Sequence, residues 1–387
     1  MIKVALVFVI IGEFVLFIVK AVSWIFQRLM KKDAAPEPTR RDWYGTCESC
    51  GKRDGLHSFQ GKRYCAMCHA RIKSEYDFTK EIQTESIVRT NAMSILKEFD
   101  LAIANVENIP RGFVTSKGNY DSYMSNAAWD AYLKDMSDEH RSQFEDGSGG
   151  ELKEKNDRPP KMAPFASSSR MAYQLSKDIP NFVFEKQLST EIGGTANLDG
   201  YWEGNGRYIF VEAKCREPYS HKSPETIRQN YKPLYGYLQS KLPDMFSCTM
   251  EDIPGTRDMR VEFFCNGKEI IYFDMKQMLC HLLGVANRML LDKAFDTPIQ
   301  FLYLLYNPID LALSEKAQKE ILSIYHTTCE SVTRYDFRQI FACIVDFLIA
   351  KKVYIATKSD VEKLKHNFAF FLCDQNNYLK FFVNPEQ

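Results

Sequence analysis

The sequence predicts an α/β domain that follows an N-terminal membrane helix and a small cysteine-rich module. Three observations lead to this prediction: an apolar segment of 23 residues near the N-terminus, two Cys-x-x-Cys pairs after it, and an alternation of helix-like and strand-like segments between residues 167 and 306. The chain has 387 residues, enough for more than one hydrophobic core. Basic and acidic residues are equal at 50 each, so the net charge indicates no class of partner.

Residues 1–32 are predicted to form a transmembrane anchor. The segment 4–26 contains only two charged side chains, Glu13 and Lys20. As a helix it would be about 35 Å long, more than a hydrocarbon core of about 30 Å. Basic residues are more numerous after this segment than before it, which favours a single-pass protein with its C-terminal bulk in the cytoplasm. The scattered cysteines of the later chain fit a reducing compartment.

A polar stripe interrupts the apolar segment and its surroundings. Glu13, Lys20 and Gln27 recur every seven residues and would share one helix face. The stripe is compatible with a helix–helix contact in a homo-oligomer, or with Lys20 reaching the membrane surface. A helix lying flat on the bilayer and a cleaved leader are the alternatives. A polar, proline-containing linker at 33–42 follows.

The module at 43–73 has cysteine spacing typical of a zinc site. Cys47 and Cys50 form the first pair, and Cys65 and Cys68 form the second, with 14 residues between the pairs. Such modules resemble zinc ribbons and treble clefs, in which four thiolates bind one Zn²⁺ and the metal supplies much of the folding energy. We expect a β-hairpin between the pairs and a helix after the second pair. A redox dithiol pair, a chance pattern and the replacement of Cys68 by His69 as a ligand are the alternatives.

The charge of this module does not identify its partner. Residues 44–73 contain six basic and two acidic side chains, and four thiolates with one Zn²⁺ would reduce this excess of +4 to +2. That charge is compatible with contact to nucleic-acid phosphates or to anionic lipid beside the membrane helix. A purely structural or protein-binding module is equally compatible.

The rest of the chain divides into three segments. Residues 74–145 have a helical pattern with a break at 109–112 and form either a spacer or the first layer of the next domain. Residues 146–308 form the predicted core domain, and residues 309–387 a mostly helical extension. The predicted elements are a helix at 167–177, strands at 182–188, 259–264 and 299–306, a hairpin at 195–215, a helix at 274–291, and weaker strand signals at 269–273 and 353–356. Residues 216–257 are interpreted as a polar excursion.

The predicted hairpin carries ionisable residues inside its strands. Glu212 and Lys214 are two residues apart on one strand and therefore share a face. If residues 203–206 form a loop of even length, Asp199 lies opposite Phe210 and on the face of Glu212. Two carboxylates there could bind Mg²⁺ or Mn²⁺, and the lysine could orient an attacking water or stabilise developing charge on a phosphate.

Asn197-Leu198-Asp199-Gly200 and Glu212-Ala213-Lys214 resemble the motif of the PD-(D/E)xK, or restriction-endonuclease-like, nuclease superfamily. The resemblance implies an αβββαβ core with a mixed sheet over about residues 151–306. Gly-Ser-Gly-Gly-Glu-Leu and Pro-Pro-Lys-Met further upstream are similar to an uncharacterised branch of putative restriction endonucleases. Leu198 stands where the motif name has proline.

The same resemblance implies further site residues. Members of the superfamily commonly add an acid from the first helix and a glutamine or lysine from the later helix, for which Glu151 and Gln277 are the candidates. Acid-x-Lys also occurs at Glu151-Leu152-Lys153 and at Asp274-Met275-Lys276, but only the copy at 212–214 lies in an apolar strand.

The sequence therefore predicts a membrane-tethered, Mg²⁺-dependent endonuclease that hydrolyses phosphodiester bonds, in DNA more than in RNA. Asp199 and Glu212 are the expected metal ligands, and Lys214 is the expected activator. A role in defence against foreign DNA rests on analogy with the family. The alternatives are a catalytically inactive nuclease fold that binds nucleic acid or protein at the membrane, a surface ion pair between Glu212 and Lys214, and an assembly adaptor.

Overall fold

The structure is a computed structural model that describes residues 44–46, 53–59, 62–65, 93–147, 150–219, 223–351 and 354–383. The chain forms two compact units, Met1–Thr90 and Asn91–Gln387. In the described part of both units, no helix combines the length and the apolar character needed to cross a membrane. The predicted anchor at 1–32 and the linker at 33–42 lie outside the described residues.

The first unit contains a three-stranded antiparallel sheet. Strand β1 (Tyr44–Thr46) pairs with β2 (Arg53–Phe59), which pairs with β3 (Lys62–Cys65). Strands β2 and β3 form the hairpin that was predicted between the two cysteine pairs. Cys47, Cys50 and Cys68 lie outside the described residues, so the zinc site remains a prediction.

The second unit alternates helices and strands. In chain order, its elements are α1 (93–107), β4 (Arg111–Thr115), β5 (Gly118–Met124), α2 (Asn126–Asp135), α3 (Asp138–Asp146), α4 (Ser168–Ser176), β6 (Val183–Ser189), β7 (Thr195–Gly204), β8 (Arg207–Lys214), β9 (Glu225–Arg228), α5 (Lys232–Lys241), β10 (Ser247–Asp252), β11 (Asp258–Cys265), β12 (Lys268–Glu269), α6 (Met275–Asp292), β13 (Ile299–Leu305), α7 (Glu315–Arg334), α8 (Phe337–Ala350), α9 (Lys358–His366) and β14 (Phe368–Cys373). The α/β class is thereby confirmed.

A mixed five-stranded sheet with the order β14-β13-β8-β7-β6 forms the centre of this unit. Strands β6, β7 and β8 are antiparallel, whereas β8, β13 and β14 are parallel. Helix α6 packs on β6 and β7 on one face, and helix α4 packs on β7 and β8 on the other. Strand β8 lies between β7 and β13 and is buried from Ile209 to Lys214, so it is the central strand of the core.

The structure differs from the sequence prediction in residues 216–257. The segment, interpreted as a polar excursion with no elements assigned, contains β9, α5 and β10, and a second antiparallel sheet joins β9, β10 and β12 to β11. These strands bury one face and expose the other, as the alternation of β11 shows. Because the exposed positions of these strands carry charged residues, the segment looks polar in the sequence and its alternating apolar positions are easily overlooked. Only Lys268 and Glu269 of the weak strand signal around 269–273 pair in this sheet.

Two further predictions about the chain are wrong. A β-hairpin of β4 and β5 interrupts the segment 74–145, which has a helical pattern in the sequence. The described residues of the predicted strand at 353–356 are not in a strand, and the edge strand of the central sheet is β14. Its sequence Phe-Ala-Phe-Phe-Leu-Cys is a short apolar run, and periodicity alone does not distinguish such a run from a helix.

Helix α6 lies unusually close to β6 and β7 at Gly284. A Cβ atom at this position would lie 2.8 Å from the Cβ of Ala196 and 3.0 Å from the Cβ of Leu188. Because glycine has no side chain, α6 can pack closely on β6 and β7 at this point, and its N-terminal half lies near the end of β8.

We predict that Gly284→Ala destabilises the protein by about 1 to 3 kcal/mol, because overpacking a dense core outweighs the better helix propensity of alanine. The matched control is Gly236→Ala in α5, where an added Cβ would meet no atom within 4 Å. That control is expected to stabilise by about 0.5 to 1 kcal/mol. Urea unfolding of both variants measures the difference, and equal stabilisation by both would contradict the close packing.

Candidate active site

The candidate site lies where β7 separates from β8. A two-residue turn of Asn205 and Gly206, both with positive φ, joins the strands and pairs Gly204 with Arg207. The prediction that Asp199 lies opposite Phe210 is therefore wrong, because it assumed a loop centred between Gly204 and Asn205. The turn lies one residue further along the chain and places Tyr201 opposite Phe210.

Gly200 and Val211 form the pair of the β7–β8 ladder that is farthest from the turn, and Asp199 lies just beyond it, immediately before Gly200 in the chain. Its Oδ2 accepts a hydrogen bond of 2.7 Å from the backbone N–H of Ala213, and its Oδ1 lies 3.5 Å from Ser169 Oγ of α4. The carboxylate thus takes the place of a backbone partner for β8. This contact holds Asp199 beside the segment that carries Glu212 and Lys214.

Glu212 and Lys214 form a buried ion pair on β8. Their side chains are 2% and 8% exposed, and Lys214 Nζ lies 2.6 Å from Glu212 Oε1. The same ammonium donates a hydrogen bond of 2.7 Å to Gln277 Oε1. Asp274 caps helix α6 by accepting a hydrogen bond from the N–H of Gln277, which fixes the first turn beside β8. The structure therefore brings the predicted residues Asp199, Glu212, Lys214 and Gln277 together.

His281 lies one helical turn after Gln277, and its buried ring faces the carboxylate of Glu212. Its Nδ1 is 3.1 Å from Glu212 Oε2, while the ring also hydrogen-bonds to the backbone of Asn197. Burial and the nearby Lys214 lower the pKa of His281 to about 3, so the imidazole is neutral at physiological pH. Despite these short distances, neither oxygen of Glu212 nor Nδ1 of His281 has a hydrogen-bond partner in the described part of the protein.

Glu151 reaches the same cavity, but from a loop and not from a helix as the resemblance implied. Residues 151–153 form a bend, and helix α4 begins only at Ser168. Pro159 and Pro160 between them disfavour a continuous helix. Glu151 is 5% exposed; its Oε1 lies 3.1 Å from Lys161 Nζ, and its Oε2 has no hydrogen-bond partner among the described residues.

Further residues of the cavity were not identified as site residues in the sequence. Ser168 Oγ donates to Glu217 Oε2 at 2.6 Å and accepts from the backbone N–H of Cys215 at 2.9 Å, which ties α4 to the end of β8. Glu185 lines the cavity with φ of 51°, an uncommon conformation for a residue other than glycine. The run of three serines at 167–169 is the only sequence signal for the α4 contribution.

The acidic residues of the cavity affect one another electrostatically. Burial raises the pKa of Asp199 well above its usual value, and the negative charge of Glu212 adds to this effect. Burial also raises the pKa of Glu212 to about 7, although Lys214 opposes the shift. For Glu185, burial together with Asp199 and Glu151 raises the pKa to about 9. Lys214 opposes these shifts at Asp199 and Glu212, and Lys161 opposes the shift at Glu185, but burial outweighs both.

The cavity has a volume of about 480 Å³ and opens to solvent. Within the described ranges, no group of three or more His, Cys, Asp or Glu side chains is arranged to hold a metal ion. A cation here would therefore depend on Asp199 and Glu212 with water and substrate oxygens. This is a usual donor set for Mg²⁺, which keeps several waters and binds through one or two carboxylates and phosphate. The oxygens of Glu212, which form an ion pair with Lys214 but meet no hydrogen-bond geometry among the described residues, fit such a role.

No protein-family model, curated protein or solved structure matches the chain.

We predict that, in EDTA, the contribution of Glu212 to stability falls between about pH 4.5 and pH 7. A raised pKa means that the folded protein keeps the proton when the unfolded chain has lost it, so deprotonation at higher pH costs folding free energy. Urea unfolding of wild type and Glu212→Gln across this range isolates the effect, because other acids titrate in both proteins. The advantage of Glu212→Gln should grow as pH rises, and a constant difference would contradict the assignment.

Proposed function

We propose that this protein is a metal-dependent endonuclease that hydrolyses phosphodiester bonds, with DNA as its preferred substrate. The observation that carries this proposal is the contact of Lys214 Nζ with both Glu212 and Gln277, at 2.6 and 2.7 Å, beside Asp199 at the point where β7 leaves β8. Two carboxylates that can hold a divalent cation and a lysine beside them, in one open cavity, are groups that can catalyse phosphodiester hydrolysis.

The order of the elements supports the restriction-endonuclease-like part of this proposal. Helix α4 precedes the antiparallel strands β6, β7 and β8, and helix α6 then leads to β13, which is parallel to β8. Apart from β9, α5 and β10 to β12, which lie between β8 and α6, this is an αβββαβ order. Strand β14 extends the sheet beyond it.

Asp199 and Glu212 would hold Mg²⁺ or Mn²⁺. When bound, the ion would polarise a phosphoryl oxygen and lower the pKa of a coordinated water. Lys214 would donate to the negative charge that develops on the attacked phosphate. Gln277 contacts the ammonium directly and therefore orients it, while the neutral His281 supports Glu212 from the buried side.

The N-terminal segments complete the proposed architecture. Residues 1–32 would anchor the protein in a membrane as a single helix, with the polar stripe of Glu13, Lys20 and Gln27 as a contact between copies. The module at 43–73 would bind Zn²⁺ through Cys47, Cys50, Cys65 and Cys68. The enzyme would then act on DNA at the cytoplasmic side of the membrane.

We predict that Lys214→Ala reduces the rate of Mg²⁺-dependent plasmid nicking by about 10²- to 10³-fold, the usual cost of removing one group that stabilises the developing charge. The matched control is Lys153→Ala, which removes an exposed lysine from another acid-x-Lys sequence. Because Lys214→Ala leaves Glu212 buried without its partner, circular dichroism must accompany the assay. Gln277→Ala provides a milder variant, with an expected loss of about tenfold. Equal nicking by wild type and Lys214→Ala would refute the site.

Metal binding gives a test that does not depend on activity. We predict that wild-type protein binds Mn²⁺ with one high-affinity site that Asp199→Asn weakens by about tenfold or more, because one anionic ligand is lost. Asp130→Asn on the exposed face of α2 is the control and should bind as wild type does. Electron paramagnetic resonance of free Mn²⁺ measures both. DNA binding without Mn²⁺ binding or nicking would favour the inactive nucleic-acid-binding scaffold instead.

A further inference from the structure

A second cavity, of about 810 Å³, lies along β7 from the candidate active site. Its lining includes Arg228, Arg257 and the glycines Gly193 and Gly194, and none of the described residues that line it is acidic. The first cavity, in contrast, contains a cluster of carboxylates. The two cavities therefore have opposite electrostatic character.

Arg228 and Arg257 both line this cavity, and a backbone contact joins the segments that carry them. The N–H of Gln229, which follows Arg228, donates a hydrogen bond of 2.9 Å to the carbonyl of Arg257. Both arginines are exposed, and neither forms a salt bridge among the described residues, although Asp258 lies opposite Arg228 in the register of β9 and β11. Two exposed guanidinium groups that line one cavity without an acidic residue in its lining favour an anionic ligand there. Guanidinium groups bind phosphate with two parallel hydrogen bonds.

The glycine loop contributes to the same cavity. Asn230 Nδ2 donates to the carbonyls of Ile192 and Gly193 at 2.6 and 2.9 Å, which fixes the loop against the arginine segment. Gly193 and Gly194 have φ values of 94° and 115°, conformations that favour glycine. Their N–H groups donate to no other described residue, so they are available to an anionic ligand.

The two cavities are aligned along one strand. Asn197 lines the active-site cavity, and Thr195, two residues earlier and therefore on the same side of β7, lines the basic cavity. Thr195 is four residues from Asp199, or about 13 Å along a strand. With a rise of about 3.4 Å per nucleotide, this distance corresponds to about four nucleotides. Lys276, beside Gln277, contacts the carbonyl of Thr226 with its Nζ at 3.2 Å and adds a positive charge near this path.

We propose that Arg228, Arg257 and the Gly193–Gly194 loop bind a backbone phosphate of the DNA strand about four nucleotides from the bond that is cleaved. This inference rests on the proposed nuclease function and adds where the substrate strand runs. The cavity positions the substrate and takes no part in bond cleavage.

The test compares the salt dependence of DNA binding by two full-length double variants. Arg228→Ala with Arg257→Ala removes the proposed contact, and Lys316→Ala with Lys319→Ala removes equal charge from the exposed face of α7. Fluorescence anisotropy in EDTA with a duplex of about 24 base pairs gives the dissociation constant between about 50 and 200 mM KCl. The slope of log K against log salt should decrease by about one to two for the arginine variant and remain unchanged for the lysine control.

The nicking assay separates a failure of this inference from a failure of the proposed function. The arginine variant should show a KM for duplex DNA raised about tenfold, as expected for lost phosphate contacts. Because both arginines are exposed, its thermal midpoint should equal that of wild type. Unchanged salt slope and KM, with normal Mg²⁺-dependent nicking, would overturn the phosphate site and leave the nuclease function intact. If wild type neither binds nor nicks DNA, both proposals fail.

Discussion

The buried ion pair of Glu212 and Lys214 is the interaction on which the rest of the candidate site depends. It lies on the central strand of the mixed sheet, where transferring two charges from water costs several kcal/mol before their attraction is counted. A well-packed apolar pair of similar volume is often at least as stable in such a position. The ion pair lies beside Asp199 in an open cavity, and this position agrees better with a catalytic role than with a contribution to folding stability.

The fold produces this site through two departures from regular packing. Strand β7 leaves β8 at Asp199, whose side chain then replaces a backbone partner by accepting the N–H of Ala213. Helix α6 approaches the sheet through Gly284 and so places Gln277 and His281 over the same end of β8. The edge where the strands separate is open to solvent, while the Glu212 side is closed by α6. The cavity thus opens to solvent beside Lys214 and Glu212, whose side chains are themselves only 8% and 2% exposed.

The sequence was sufficient for those parts of the site that follow from strand periodicity. Glu212 and Lys214 share a face because any strand alternates, whereas Gln277 was implied by the resemblance to the nuclease superfamily. The partner of Asp199 could not be predicted, because moving the turn by one residue, to Asn205 and Gly206, keeps the parity of the strand but changes its register. Ser168 and Glu185 depend on contacts between distant segments and on an unusual φ angle, which no local pattern encodes. Strand β14 was missed for a similar reason, since its pairing with β13 is long-range.

The central claim is that Asp199 and Glu212 share one divalent cation next to Lys214. A crystal of the full chain soaked in Mn²⁺ and measured at the manganese absorption edge tests it most directly. The account predicts an anomalous peak for Mn²⁺ in this cavity, about 2.0 to 2.2 Å from one carboxylate oxygen of Asp199 and one of Glu212. A fully diffracting crystal without a peak in this cavity, and with the Lys214–Glu212 contact unchanged, would contradict it.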